Sequence, residues 1–170
     1  MKKLTHEKFE QQHIMEFSPL NGLNSIGNIS SVGPTLQIDI FKERKMINSV
    51  ETKNAPAAIG PYSQAKIVGN MIFTSGQIPL DPETGLIQGE TIVAQTLQVI
   101  ANIEAILGAA GSSLENVFKT TCFLAEMEDF SEFNAIYEKH FTSKPARSCV
   151  AVKQLPKSVL VEVEVIALIP

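Results

Sequence analysis

The chain has 170 residues, of which 44% are hydrophobic and 19% charged, and a net charge of −4, so a folded domain with a sizeable core is expected. No uninterrupted apolar run approaches the roughly 20 residues of a membrane-spanning helix, which argues against a membrane protein. Residues 46–170 carry eight basic and thirteen acidic side chains, net −5, and such an acidic body disfavours nonspecific nucleic-acid binding.

The composition changes near Met46, which divides the chain into two predicted parts. Residues 1–45 form an N-terminal extension, and its segment 18–34 is rich in Ser, Pro, Asn and Gly, which is typical of a flexible segment. The extension lacks the apolar core of a secretory signal. We therefore expect a cytoplasmic protein, with import into an organelle through residues 1–45 as the alternative. Residues 46–170 form the predicted domain.

The predicted domain alternates strands and helices. In chain order these are strands Tyr62–Val68 and Met71–Ser75, a helix over Ile92–Leu107, a strand Val117–Leu124, a second helix from Asp129, and strands Arg147–Val152 and Val159–Ile169. Thr91 is the expected N-cap of the first helix, and Gly108 or Gly111 its end. Asp129 and Glu132 have the spacing of a capping box. The order ββαβαββ predicts an α+β fold with two helices on one sheet face.

The last predicted strand has two different faces. One face is formed by Val159, Val161, Val163, Val165 and Ala167, and the other by Leu160, Glu162, Glu164 and Ile166. The valine face should meet the helices. Because the opposite face mixes apolar and acidic side chains, we expect it to be a subunit interface rather than a surface in water.

Arg147 is the first candidate functional residue. It is the only arginine after position 45, and it stands at the start of an apolar strand pattern, where a solubilising charge is out of place. Its planar guanidinium can bind a carboxylate or phosphate through two parallel hydrogen bonds. Glu162 follows fifteen residues later among valines. The pair suggests a small anionic substrate and a nearby base, although Glu162 taken alone is better explained as a surface or interface charge.

The other candidates are polar or small residues beside strands or on the second helix: Tyr62, Ser75, Gly76 and Asn134. Three of them have a structural alternative, which is packing for Tyr62, a bulge or strand end for Gly76, and solvent exposure for Asn134. Cys122 and Cys149 are expected to be buried, reduced thiols. The sequence has no CxxC motif and no Cys/His cluster, so no metal site is expected.

Two long motifs in this order resemble one known family. The first runs from Asn54 to Ala65 and continues from Phe73 to Pro79, and the second comprises Pro145-Ala146-Arg147-Ser148 and Leu155-Pro156-Lys157 through Glu164. Both are similar to the reactive intermediate imine deaminase family, also called RidA/YjgF or translation-inhibitor L-PSP. The resemblance covers about residues 47–169, and residues 1–45 have no counterpart in it.

The resemblance implies a chorismate-mutase-like fold with a mixed sheet, and a homotrimer with ligand sites between subunits. It also implies hydrolysis of 2-imino acids or their enamine tautomers (2-aminoacrylate, 2-iminobutanoate, 2-iminopropanoate) to 2-keto acids and ammonia. Such a 2-iminobutanoate/2-iminopropanoate deaminase needs no cofactor. Two alternatives stay open: an endoribonuclease or translation inhibitor, and a noncatalytic small-metabolite sensor or chaperone-like module.

Matched position by position, the resemblance gives Arg147 the substrate carboxylate and Glu162 the attacking water. The implied substrate-binding residues are Tyr62, Ser75, Gly76, Asn134 and Cys149. One departure from the family pattern lies beside Arg147, because the segment from Phe141 to Pro145 is shorter than in many members. This difference affects the pocket rim and leaves the preferred substrate size open.

Overall fold

The structure, a computed structural model, describes residues 47–170, so the predicted N-terminal extension lies outside the described residues. The elements are β1 (Ile47–Val50), β2 (Ala65–Val68), β3 (Met71–Thr74), α1 (Ile92–Ala109), β4 (Val117–Leu124), α2 (Phe130–His140), β5 (Ala146–Ala151) and β6 (Val161–Leu168). The predicted α+β class with two helices on a mixed sheet is confirmed. The sequence prediction missed β1, a strand of four residues that precedes the predicted order.

The six strands form one sheet in the order β1-β2-β3-β6-β4-β5. All neighbouring pairs are antiparallel except β4 and β5, which are parallel. A parallel pair needs a crossover connection, and α2 provides it between these two strands. β1 and β5 are therefore the edge strands of the sheet within the described residues.

The strand β6 shows why one face of the sheet carries the core. Val161, Val163 and Val165 are almost fully buried, whereas the alternating residues Glu162 and Glu164 are only half-buried on the opposite face. The predicted valine face is thus confirmed. Burying an apolar side chain contributes roughly 1.5–3 kcal/mol relative to exposure, so this alternation fixes which side of β6 meets the helices.

The helix α1 begins and ends as its sequence indicates. The Thr91 side chain accepts a hydrogen bond from the Ala94 N–H at 3.2 Å. At the other end Gly111 has a φ of +76°, and the Ser112 N–H donates to the Leu107 carbonyl at 2.9 Å. This is the Schellman arrangement, in which a glycine adopts the left-handed conformation that other residues avoid.

Within the described residues α1 is the one helix that is long and apolar enough to cross a membrane, although no such run was expected from the sequence. Half of its span is buried inside the protein. Two of its buried polar side chains are bonded to loops: Gln95 accepts from the Leu160 N–H at 2.8 Å, and Asn102 donates to the Ile78 carbonyl at 3.1 Å. These contacts are those of a core helix that also holds the loops beside it.

The predicted capping box of α2 is wrong. A short 3₁₀ turn, Met127–Asp129, leads directly into the helix, and Asp129 has helical backbone angles of φ −75° and ψ −8°. An N-cap residue needs an extended backbone for its side chain to reach the free N–H groups of the first turn. Asp129 does not have this backbone conformation, and the Asp129 side chain makes no capping hydrogen bond. The buried side of α2 is aromatic, with Phe133 and Tyr137 in the core.

We predict that Thr91→Ala lowers the free energy of unfolding by about 1 kcal/mol, because the N–H of Ala94 loses its partner. Thr91→Ser is the control, since it keeps the accepting oxygen and should stay close to wild type. Urea titration at a single protein concentration would measure the difference, because subunit association would also contribute to apparent stability. Equal stability of the alanine and serine variants would contradict the capping role.

Candidate active site

Arg147 lies on the helix side of β5. It is paired in register with Thr120 of β4, and its Nη1 donates a hydrogen bond to Oδ1 of Asn134 on α2 at 2.9 Å. Its Cζ atom lies 4.5 Å from the centre of the Tyr137 ring. The structure therefore brings together two residues predicted for the site, Arg147 and Asn134, and adds an aromatic neighbour, Tyr137, that was not among the predicted site residues.

A groove of about 390 Å³ opens beside the guanidinium. It is lined by Asn134, Tyr137, Glu138, Phe141, Thr142, Lys144, Pro145 and Arg147. The short segment before β5 forms part of its wall. Ser143 Oγ donates to the Val117 carbonyl at 3.1 Å, which holds this segment to the start of β4. The Lys144 N–H donates to the Phe141 carbonyl at 3.1 Å, which closes a turn within the segment.

Cys149 follows Arg147 on the same side of β5 and is paired in register with Cys122. Burial raises the pKa of the Cys149 thiol, and the positive charge of Arg147 offsets only part of this effect. Burial also raises the pKa of Cys122 to about 12. Both thiols therefore stay protonated near neutral pH. These surroundings therefore do not favour a thiolate nucleophile at either position. A role for Cys149 in contacting the substrate stays a prediction.

Glu162 lies on the opposite face of the sheet, against Gly76. A Cβ atom added to Gly76 would overlap Oε1 of Glu162 and lie 2.8 Å from its Cδ, so the glycine leaves the space that the carboxylate occupies. The loop is fixed there by a reciprocal pair of backbone hydrogen bonds between Gln77 and Val163, of 2.8 and 3.1 Å. The structure thus gives Gly76 a steric role beside Glu162, in addition to ending a strand.

The surroundings of Glu162 favour its protonated form. Burial raises the pKa of its carboxyl group, and the negative charge of Glu164 raises it further. An ion pair with a cationic side chain would lower the pKa of Glu162 again, but within residues 47–170 no cationic side chain forms one. A carboxylate whose pKa is moved toward neutrality is a better acceptor of a proton from water than an ordinary surface glutamate.

Tyr62 and Ser75 lie near Gly76 rather than near Arg147. Tyr62 is half-exposed, accepts a 3.4 Å hydrogen bond from the Ile59 N–H, and lines a small pocket together with Gly76. Ser75 Oγ donates to the Ser63 carbonyl at 2.7 Å. The loop before Tyr62 is held by the buried Gln64, whose Nε2 donates to backbone carbonyls of residues 52, 55 and 56.

A single chain does not bring Arg147 and Glu162 together. Arg147 of β5 pairs with Thr120 of β4, which pairs in turn with the buried Val165 of β6. Glu162 alternates with the buried valines of β6 and so points to the other face. The two side chains therefore leave opposite faces, on strands separated by β4, with strand axes about 10 Å apart. The predicted site residues therefore form two separate groups on opposite faces of the sheet. One contains Arg147, Asn134 and Cys149, and the other Tyr62, Ser75, Gly76 and Glu162.

Two parts of the site were missed from the sequence. Tyr137 and Phe130 surround the Arg147 guanidinium, and Gln64 organises the loop that carries Tyr62. Helical periodicity places the two aromatic residues on the apolar side of α2, but it does not distinguish a ring in the core from one beneath an arginine. Within residues 47–170 no group of three or more His, Cys, Asp or Glu side chains is arranged to hold a metal ion.

We predict that Glu164→Gln lowers the pKa of Glu162, because it removes the neighbouring negative charge. The pKa should stay above that of a free glutamate, since burial is the larger cause of the shift. A carbon-13 NMR titration of the side-chain carboxyl group would measure it. Glu104→Gln, on the exposed side of α1, is the matched control and should leave the Glu162 titration unchanged. An unaltered Glu162 titration in Glu164→Gln would rule out the proposed coupling.

The chain is similar to known proteins over most of its length. Residues 52–169 match the family described as Endoribonuclease L-PSP. A putative regulator, AldR, from Lactococcus lactis is 58% identical over 119 residues, which is 69% of this chain and 94% of the relative. A 2-iminobutanoate/2-iminopropanoate deaminase from Salmonella typhimurium is 48% identical over 126 residues, covering 72% of this chain and 98% of the relative.

The solved structures agree with this match. The crystal structure of a putative endoribonuclease from Thermotoga maritima has a TM-score of 0.71 and 52% sequence identity, and the match covers 72% of this chain and 98% of that one. The family model spans more than half of the chain, and the curated relatives exceed 45% identity over nearly their whole length. The matched motifs, the fold and these relatives together show that the chain belongs to the L-PSP (YjgF/RidA) family.

Proposed function

We propose that this protein hydrolyses reactive 2-imino acids and their enamine tautomers, such as 2-aminoacrylate, 2-iminobutanoate and 2-iminopropanoate, to 2-keto acids and ammonia. The observation that carries the proposal is the guanidinium of Arg147, which is held by Asn134 and Tyr137 and opens onto a groove. Such a group suits a small carboxylic acid. The Salmonella relative, 48% identical, is named as a deaminase of this kind.

The active site would be assembled between copies of the chain, in a homotrimer. The two groups of predicted site residues on opposite faces of one sheet support this arrangement, because in a shared site a second copy would bring Glu162 to Arg147. The outer face that bears Glu162 also exposes apolar side chains on β3, β5 and β6, namely Phe73, Val150 and Leu168. An exposed apolar face around an acidic site is typical of a protein interface.

The proposed reaction begins when Arg147 binds the substrate carboxylate through two hydrogen bonds. The imine carbon is electrophilic, more so when its nitrogen is protonated, so water can attack it without a covalent nucleophile. Glu162 of a neighbouring copy accepts a proton from this water as its oxygen bonds to carbon. Starting from the protonated imine, Glu162 returns this proton to the amine nitrogen of the tetrahedral intermediate. It then accepts the hydroxyl proton as the C–N bond breaks, so that the C=O bond of the 2-keto acid forms and ammonia leaves. Proton transfer of this kind contributes typically 10²–10⁴-fold.

We predict that Arg147→Ala lowers kcat/KM for 2-iminobutanoate by at least about 100-fold, because a charge-assisted bidentate contact is lost. Arg147→Lys should also be damaging, since an ammonium group cannot reproduce the planar fork. Imine generated in the assay and keto-acid release followed over time would measure both. Lys153→Ala, at an exposed position, is the control and should keep wild-type activity. Full activity of Arg147→Ala would reject the assigned site.

We further predict that two inactive variants complement each other. Arg147→Ala and Glu162→Gln should each be nearly inactive alone, whereas coexpressed chains should regain about one quarter of wild-type activity, because random assembly gives one site in four both intact residues. A mixture of Arg147→Ala and Arg147→Lys chains is the control and should show no gain. Mass spectrometry of the native mixture would verify mixed trimers. Mixed trimers without recovery would mean that the site is not shared between copies.

A ribonuclease activity is the second candidate, favoured by the description of the matching family. The acidic domain opposes it, since RNA binding relies largely on basic side chains. RNA cleavage that survives both further purification and Arg147→Ala would favour this candidate. A noncatalytic metabolite sensor is the third, and the relative from Lactococcus named as a putative regulator fits it. Tight binding of 2-ketobutyrate without any turnover of imines would favour the sensor.

A further inference from the structure

Two aromatic rings of α2 surround the Arg147 guanidinium. Its Cζ lies 4.5 Å from the Tyr137 ring centre and 5.6 Å from that of Phe130. These two residues are seven positions apart, so they share one side of the helix. A guanidinium over an aromatic face is attracted by the ring, and stacking restricts the plane in which its N–H groups lie. The aromatic rings therefore limit the orientation of Arg147, and not only its position.

Tyr137 is itself held firmly in place. Its hydroxyl lies 2.7 Å from Oγ1 of Thr120, a fully buried residue of β4, and its ring stacks on Phe141 with centres 4.4 Å apart. Burial raises the pKa of Tyr137, so the hydroxyl stays protonated and the hydrogen bond is kept near neutral pH. Thr120 is also the register partner of Arg147. The paired strands β4 and β5 thus hold both members of the stacked contact, because Thr120 of β4 binds the Tyr137 hydroxyl and Arg147 belongs to β5.

Asn134 uses one N–H of Nη1, and among residues 47–170 no other group accepts a hydrogen bond from the guanidinium, which leaves its other donors for a ligand. We propose that Tyr137, anchored by Thr120, is a positioning residue that holds the Arg147 fork in the plane required for two-point binding of a planar carboxylate. Only the choice of a 2-keto or 2-imino acid as the ligand rests on the proposed function. The orientation of the fork follows from the contacts alone.

A tyrosine that serves only as core packing would behave differently. Its replacement by another apolar side chain would lower the stability of the fold but leave the affinity of the folded protein for a carboxylate unchanged. A positioning residue affects affinity selectively, and a ring without the hydroxyl should preserve most of that effect. Tyr137→Phe and Tyr137→Leu separate the contribution of the ring from that of the hydroxyl.

The test is calorimetric titration of the full-length protein with 2-ketobutyrate. We expect Tyr137→Leu to weaken binding about tenfold, whereas Tyr137→Phe, which keeps the stacked ring, stays within about twofold of wild type. Ile72→Ala is the control, because it shortens a fully buried side chain of β3, a strand that β6 and β4 separate from β5. This control should lower the melting temperature but bind 2-ketobutyrate with an affinity within about twofold of wild type.

Wild-type affinity in folded Tyr137→Leu, or equal weakening in Ile72→Ala, would overturn the positioning role. A wild-type protein that does not bind 2-ketobutyrate would overturn it as well. If Tyr137→Leu does not fold, Tyr137→Met fills more of the space and carries the same expectation. The result is separable from the proposed function. A protein that binds the keto acid but does not turn over imines would fail as a deaminase and leave this comparison intact.

Discussion

The strand β6 lies between β3 and β4, and its side chains alternate between the buried valines and the acidic outer face. A slip of one residue in its pairing would move the valines into water and Glu162 into the core, so burial fixes the register strongly. The backbone bonds between Gln77 and Val163 extend the same register into the loop that carries Gly76. The position of the carboxylate therefore depends on the packing of the opposite face.

The elements with strong periodicity were predictable from the sequence. The alternation of β6 and the helical pattern of α1, with Thr91 and Gly111 at its ends, match the structure. β1 was missed because its sequence, Ile47-Asn48-Ser49-Val50, has polar residues at its centre and no apolar pattern, unlike the equally short β2 and β3. Its pairing with β2 joins residues fifteen to twenty-one positions apart. The Asp129 cap was wrong because spacing shows which side chain could reach the N–H groups, but not that a 3₁₀ turn precedes the helix.

The site was predictable as a set of residues, but its arrangement was not. Arg147 stood out by composition and motif, and Asn134 proves to be bonded to it. The separation of Arg147 from Glu162 depends on how β4 pairs with β5 and β6, which involves residues distant in sequence. The contact between Tyr137 and Arg147 likewise joins a helix to a strand. Local patterns describe one element at a time, and these contacts arise between elements.

The place of β5 at the edge of the sheet has a consequence for how the protein can vary. An edge strand presents backbone N–H and C=O groups that another chain can pair with, a hazard that proteins usually control with charge, bulges or cover. Here that strand also carries Arg147. A substitution in β5 that protects the edge against aggregation therefore changes a residue close to Arg147. The same six residues must satisfy two requirements, which are solubility and ligand affinity.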